Sequence, residues 1–546
     1  MSSSRQSSGS YELHGCSTEE SPQSSGIQSP DKDASTTQSG SGDWEQDVDE
    51  SQYPSGLQFT LIIFTLFVSV FIVAVSQTVL ATAMPTITST FGSFDDIAWY
   101  STGEQITAVA MQLPFGRAYT LANNKWTFLA SVVIYLIGSA IGGFAPVSAV
   151  LVVGRVIQGV GMAGVFGGSF IFLAHVTPLR KRSLFAGLFG AAYGIASVIG
   201  PIIGGAITTR ASWRWCFWFN LPIGAVVIPT IVFCLPSSLG RTSVTLKHTS
   251  WKQTIMRFDP MGTCLLLASL VCLMLALQWG GGEVAWSDGS VIAAFVVFAA
   301  TTLPIVSHRS VAGSSLYLLF LNGAFGVFIF FLPVWFQSIN GDSAQTSGFK
   351  QIALCVGTAL SSVVAGGLVV VIGFYNPFII LGSMLVTAGS ALCMAINPDT
   401  SLGMMIGAQI LVVTGVGAGA EQANVAVQAV LPSEKVAKGT SLTLFTRLLG
   451  IALSVPVAQS VVQQELVKAL GSSLASAVYR KEGVTDLRAK LRAMLGDNTP
   501  GYDDALNGTN YAITRTFMLG LILASISLPF GLIVEWKDIR QKTRAG

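Results

Sequence analysis

Leu151-Val-Val-Gly154-Arg155-Val-Ile-Gln158-Gly159-Val-Gly161-Met-Ala-Gly164 contains one charge in fourteen residues, and that charge is an arginine. It belongs to an apolar run over 149–174, long enough to cross a hydrocarbon layer about 30 Å thick. The run formally contains G-x-G-x-x-G (Gly159, Gly161, Gly164). A dinucleotide site would need those glycines at a strand-to-helix turn of a soluble unit, with an acid about 20 residues on. Inside an apolar span they instead let helix backbones approach closely. Arg155 cannot sit in lipid, where it would cost at least about 3 kcal/mol, so it must face protein or water and have a partner.

Working outward, the same pattern repeats along the chain. Of 546 residues 51% are hydrophobic and 11% are charged, against roughly a quarter charged in soluble domains. Spans are predicted near 57–82, 97–118, 127–146, 149–174, 184–208 and 215–236. Two more fall near 261–280 and 289–307. The last six fall near 313–336, 350–372, 377–396, 401–428, 439–466 and 512–534, about fourteen in all. This composition excludes a soluble multi-domain enzyme. A net charge of +2, scattered along the chain, excludes a nucleic-acid face.

Charge placement sets the orientation. With the N-terminus inside, inner loops hold Arg117, Lys125, Arg180, Lys181, Arg182, Lys435 and Lys438, with Lys537, Arg540, Lys542 and Arg544 in the tail. Short outer loops hold Arg210, Arg214 and Lys350 among acids such as Asp95, Asp96, Asp342 and Asp399. The segment 467–511 is predicted as a long outer loop and carries the sequon Asn507-Gly-Thr509, a candidate glycosylation site. Residues 1–55 are rich in Ser, Gln, Gly and Asp and are expected to form a disordered cytoplasmic tail. No basic start leads directly into an apolar core, so the first span is expected to act as its own insertion signal.

An internal repeat organises the rest. Gly159-Val-Gly161 and Gly415-Val-Gly417 are matched, one span later, by Gly194-Ile-Ala-Ser-Val and Gly450-Ile-Ala-Leu-Ser-Val, about 256 residues apart in both cases. The fold expected is therefore all-α and integral to the membrane, with two six-helix pseudo-repeats (56–237 and 311–534). A cytoplasmic linker and two extra central helices occupy 238–310, and 535–546 is a cytoplasmic tail. Duplicated halves around a midplane cavity are the architecture of alternating-access carriers.

Several residues carry candidate chemistry. Glu104 and Arg155 both lie about seven residues into spans that enter from outside, roughly 10 Å deep. They form either a proton-linked site or a static ion pair. Glu421 and Arg447 form a second possible pair, read as structural. Gly194-(x5)-Gly200-Pro201-Ile-Ile-Gly204-Gly205 removes side chains from one helix and interrupts its hydrogen bonds at Pro201. That predicts a bend and a smooth face for sealing one half against the other. Trp213 to Pro222 suits an interfacial aromatic belt. Gly116 to Lys125 is a tight inner loop, either a positive anchor or a gate latch. Gln77, Gln158, Gln422 and Gln428 are candidate polar contacts in an apolar substrate cavity. Six of the seven cysteines lie in apolar runs and read as small hydrophobes. Four histidines without HExxH or ligand spacing argue against a metal site, and no G-x-x-x-x-G-K-[ST] points to ATP.

Taken together, these segments resemble the major facilitator superfamily, specifically its fourteen-span drug:proton antiporters and, within them, the fungal branch that exports mycotoxins and antifungal drugs. The likeness covers about 57–534 and is most specific at Gly154-Arg155-(x2)-Gln158-Gly159, around Pro201, and from Trp213 to Pro222. It implies proton-driven efflux with no cofactor beyond the proton gradient. Arg155 would be the proton-coupling arginine, and Gly200, Pro201, Gly204 and Gly205 the antiporter motif. Two departures stand out. Val75-Ser76-Gln77-Thr78 occupies the place of the family's Leu-Asp-Gln-Thr, which points to Glu104 as the coupling acid. Thr120 occupies the place of the loop motif's acid, which weakens the latch reading.

The expected function is a secondary exporter of amphipathic small molecules by proton antiport, monomeric, in the plasma membrane or the vacuolar membrane. A siderophore or amino-acid importer and a non-transporting membrane sensor are the alternatives.

Overall fold

A computed structural model of the chain describes residues 54–92, 97–235, 264, 265, 268, 308–342, 344–479 and 500–539. Apolar runs in lipid must satisfy their backbone groups internally, so each becomes a helix. The first half comprises α1 (Gly56–Phe91), α2 (Ile97–Leu121), α3 (Asn124–Gly143), α4 (Ser148–Val176), α5 (Leu179–Arg210), the single turn α6 (Trp215–Trp218) and α7 (Asn220–Cys234). The second comprises α8 (Arg309–Ser338), the short α9 (Ala344–Lys350), α10 (Ile352–Ile372), α11 (Asn376–Met394), α12 (Leu402–Val430), α13 (Ser433–Tyr479) and α14 (Pro500–Ile533).

Among the described residues, eleven helical segments are long and apolar enough to cross a membrane. The 25-residue α2, about 37 Å long, coincides with the second predicted span, 97–118, but is less apolar, carrying Glu104, Gln105, Gln112 and Arg117. The central spans 261–280 and 289–307 fall almost wholly outside the described residues, as does the N-terminal tail up to residue 53. The expected 467–511 loop is helical at both described ends. α13 runs on to Tyr479, α14 begins at Pro500, and Asn507 is exposed on the first turns of α14.

The repeat appears as matched packing. Gly159 abuts α2 and Gly417 abuts α10, the second long helix of each half. Gly161 abuts α3 and Gly415 abuts α11, the third. Each half has its own apolar core, one around Phe128, Phe170 and Phe172 and the other around Phe328, Trp335 and Phe517. A further cluster joins the halves, bringing Val109 and Ala110 of α2 against Val427, Leu442 and Phe445 of α12 and α13.

The halves close on each other at the end carrying the basic loops. A Cβ on Gly116 would strike Ser441, one on Gly187 would strike the backbone of Ser362, and one on Gly366 that of Ser183. Gln428 Nε2 donates across the seam to the carbonyl of Phe170 at 3.5 Å. Toward the opposite end, Ile202, Ala206 and Arg210 of α5 are exposed. This conformation is shut at the end carrying the basic loops.

Candidate functional site

Arg155 is 2% exposed and Glu104 is fully buried. The two are ion-paired through Nη2 of the arginine and Oε2 of the acid. The remaining guanidinium donors are also used: Nε donates to the carbonyl of Tyr100 at 2.8 Å and Nη1 to Oε1 of Gln158 at 2.9 Å. Local sequence explains the contact. Arg155 and Gln158 share a helix face at i,i+3, and Gly159 one position on lets α4 press onto the backbone of Glu104. A larger residue at 159 would push α2 away and open the pair.

The network continues toward the seam. Gln158 Nε2 donates to Oγ of Ser76 on α1 at 3.0 Å. The next residue, Gln77, accepts a hydrogen bond from the Tyr193 hydroxyl on α5 and lies 3.1 Å from the sulfur of Met162. In the second half, Arg447 Nη1 donates to Oε1 of Glu421 at 2.7 Å. Each half thus carries one ion pair, and the consecutive residues Ser76 and Gln77 of α1 bond to Gln158 and to Tyr193 respectively.

The other sequence-predicted residues fall in different places. Gln77 is half-buried at the seam, but Gln158, Gln422 and Gln428 are buried. Gln158 is spent on Arg155 and Ser76, and Gln428 on Phe170 and Thr440. Gln422 is enclosed with neither amide atom hydrogen-bonded. These three do not line an open cavity in this conformation. α5 is helical through Pro201. Gly194 faces α10 across the seam, whereas a Cβ on Gly200 would strike Thr78 of α1 in the same half. Gly204 is buried, and Gly205 has open space at its Cβ position. Gly116 faces α13 of the other half, but Lys125 donates to the carbonyl of Val232 at 2.6 Å within its own half. No cluster of three or more His, Cys, Asp or Glu that could hold a metal occurs among the described residues.

Residues 66–455 match the family model described as Major Facilitator Superfamily. The chain belongs to that superfamily. It is 38% identical over 518 residues to the MFS-type efflux pump MFS1 of Arthroderma benhamiae, covering 91% of this chain and 95% of that protein. It is 36% identical over 519 residues to the efflux pump aflT of Aspergillus parasiticus (91% and 99% covered). With the efflux pump roqT of Penicillium rubens it shares 36% identity over 512 residues (89% and 93% covered). The fold is also that of the proton:xylose symporter XylE, with TM-score 0.58 at 13% identity over 88% of this chain and 98% of that one. The human organic anion transporter MFSD10 gives TM-score 0.55 at 14% identity, covering 86% and 100%.

As a facilitator-superfamily protein the chain is a multi-pass membrane transporter, not an enzyme, and it falls with the fungal mycotoxin-efflux branch. Within this superfamily scaffold, sequence reasoning passed over Tyr193. A lone tyrosine in an apolar run carries no signal of its own. Its place emerges only when α1 and α5 pack so that it meets Gln77.

Proposed function

We propose that the protein exports amphipathic organic compounds from the cytoplasm in exchange for protons, by alternating access between its two halves, and that it resides in the plasma membrane. The observation that carries this reading is the buried Glu104–Arg155 pair and its hydrogen bonds through Gln158 to Ser76 of α1, the residue before Gln77, which accepts from Tyr193 of α5. Relatives named as efflux pumps support the direction of transport.

The chemistry follows from the partners. Protonating Glu104 removes the anion but leaves Arg155 its two neutral acceptors, Tyr100 and Gln158. The guanidinium then leans harder on Gln158, which is bonded to Ser76, and Gln77 follows Ser76 on α1. A proton arriving from outside therefore alters the helix that contacts Tyr193 at the seam. Substrate, held between the halves, is released outward as the proton binds. The return stroke delivers the proton inside.

The test uses dye-loaded vesicles carrying this protein, with an imposed pH gradient. Export should fall to the background rate when the gradient is collapsed. Export that continues unchanged would defeat the antiport reading.

A further inference from the structure

The two paired arginines are satisfied to different degrees. Arg155 uses Nε, Nη1 and Nη2 on three partners inside the first half. Among the described residues Arg447 makes one hydrogen bond, from Nη1 to Glu421, and its side chain is 17% exposed. A guanidinium has five N–H donors in a fixed fork suited to a carboxylate, so most of this fork is unused. Glu421 is 2% exposed, and among the described residues its Oε2 has no hydrogen-bond partner, as is also true of Glu104 Oε1; the two pairs differ in how fully the arginine is used. Burial of a half-satisfied pair is costly unless something else completes it.

The pair also stands at the seam. Glu421 lies against Gly190 of α5, where a Cβ would come within 3.6 Å of its Oε1. Tyr193 follows about one turn further along α5. Tyr193, Gln77 and Arg447 are each partly exposed in the middle of an otherwise apolar bundle. Gln77 of α1 and Tyr193 of α5 are hydrogen-bonded, and Arg447 of α13 is held by Glu421, which reaches α5 at Gly190. Phe166 packs edge-to-face on the Tyr193 ring, with centroids 6.1 Å apart.

We infer that Arg447 is the polar anchor of the substrate site and that it takes the acidic oxygen of an amphipathic organic acid, a carboxylate or enolate, with the ring system against Tyr193. Glu421 holds the guanidinium in place while the site is empty and competes with the bound anion for it. The inference rests on the exporter reading for the site's purpose but not on proton coupling.

The experiment is equilibrium binding to the full chain in lipid nanodiscs, with no gradient imposed, using 2-naphthoate and its neutral analogue 2-naphthamide. Wild type should bind the naphthoate at least about tenfold more tightly, because charge-assisted bonds to a guanidinium exceed neutral ones. Arg447→Gln should erase that preference, Arg447→Lys should keep part of it, and Glu421→Gln should enlarge it. A static structural pair predicts otherwise: Glu421→Gln would weaken binding together with Arg447→Gln. Equal affinity of wild type for the two probes, no binding of the naphthoate, or a preference that persists in Arg447→Gln would each overturn the assignment. Because no gradient is present, failure here leaves gradient-driven export standing, and failure of export leaves this binding result standing.

Discussion

Arg155 in this structure has three partners and almost no exposure, so its charge is held at a fixed place in the first half. Removing one member of a buried pair strands the other, at a cost of about 3–5 kcal/mol. Arg155→Ala should therefore depress the melting temperature strongly and abolish transport. The double variant Glu104→Gln, Arg155→Met removes both charges. It should recover most of the lost thermal stability in nanodiscs while remaining inactive in gradient-driven export. A double variant as unstable as Arg155→Ala would show that the pair's charges are not what the fold depends on. Much of this was legible in the sequence. A cation in an apolar run demands an anion, and Glu104 lies at the same depth on a neighbouring span. The glutamines were less legible, because a buried amide looks the same in sequence whether it faces a cavity or, like Gln158, a neighbouring arginine.

At the scale of elements, α5 carries the contact that closes the basic end. Gly187 and Gly194 are seven residues apart, so they return to nearly the same helix face, the one that meets Ser362, Cys355 and Ala359 of α10. Gly200 is six residues beyond Gly194, which turns it roughly a third of a revolution away, onto Thr78 of α1. The glycine-rich stretch was visible in the sequence. Its division between two neighbours was not, because that depends on where α1 lies. Gly187→Val should hold the basic ends apart without unfolding either half. Expected results are a longer distance between spin labels placed on the two halves at that end, and transport lowered at least about tenfold, the factor that 1.4 kcal/mol gives in an equilibrium. Unchanged distances with normal transport would contradict the role given to this face.

At the scale of the molecule, the described segment after α14 ties together helix ends of the second half at the basic side. Tyr375 and Asn376 donate to the carbonyls of Glu535 and Val534, Lys537 donates to that of Ala429, and the Ile539 amide donates to Gly373. Ala429 is next to Gln428, which bridges to the first half. Truncation after Ile533 should lower the melting temperature by several degrees and weaken closure at the basic end, as read by the same spin-label pair. A truncated chain with wild-type melting and distances would remove this segment from the account. The two-half architecture was legible from the repeated glycine motifs, since a duplication preserves them. The tail contacts were not, because they join residues more than a hundred positions apart.

The central claim is that Glu104, paired with Arg155, is where proton movement meets the moving halves. Its most direct test compares wild type with Glu104→Gln in vesicles under two drives, an imposed pH gradient and a gradient of the substrate itself. The variant should still equilibrate substrate down its own gradient, yet show no response to the pH gradient that drives wild type. Retention of full pH-driven transport by Glu104→Gln would contradict the claim.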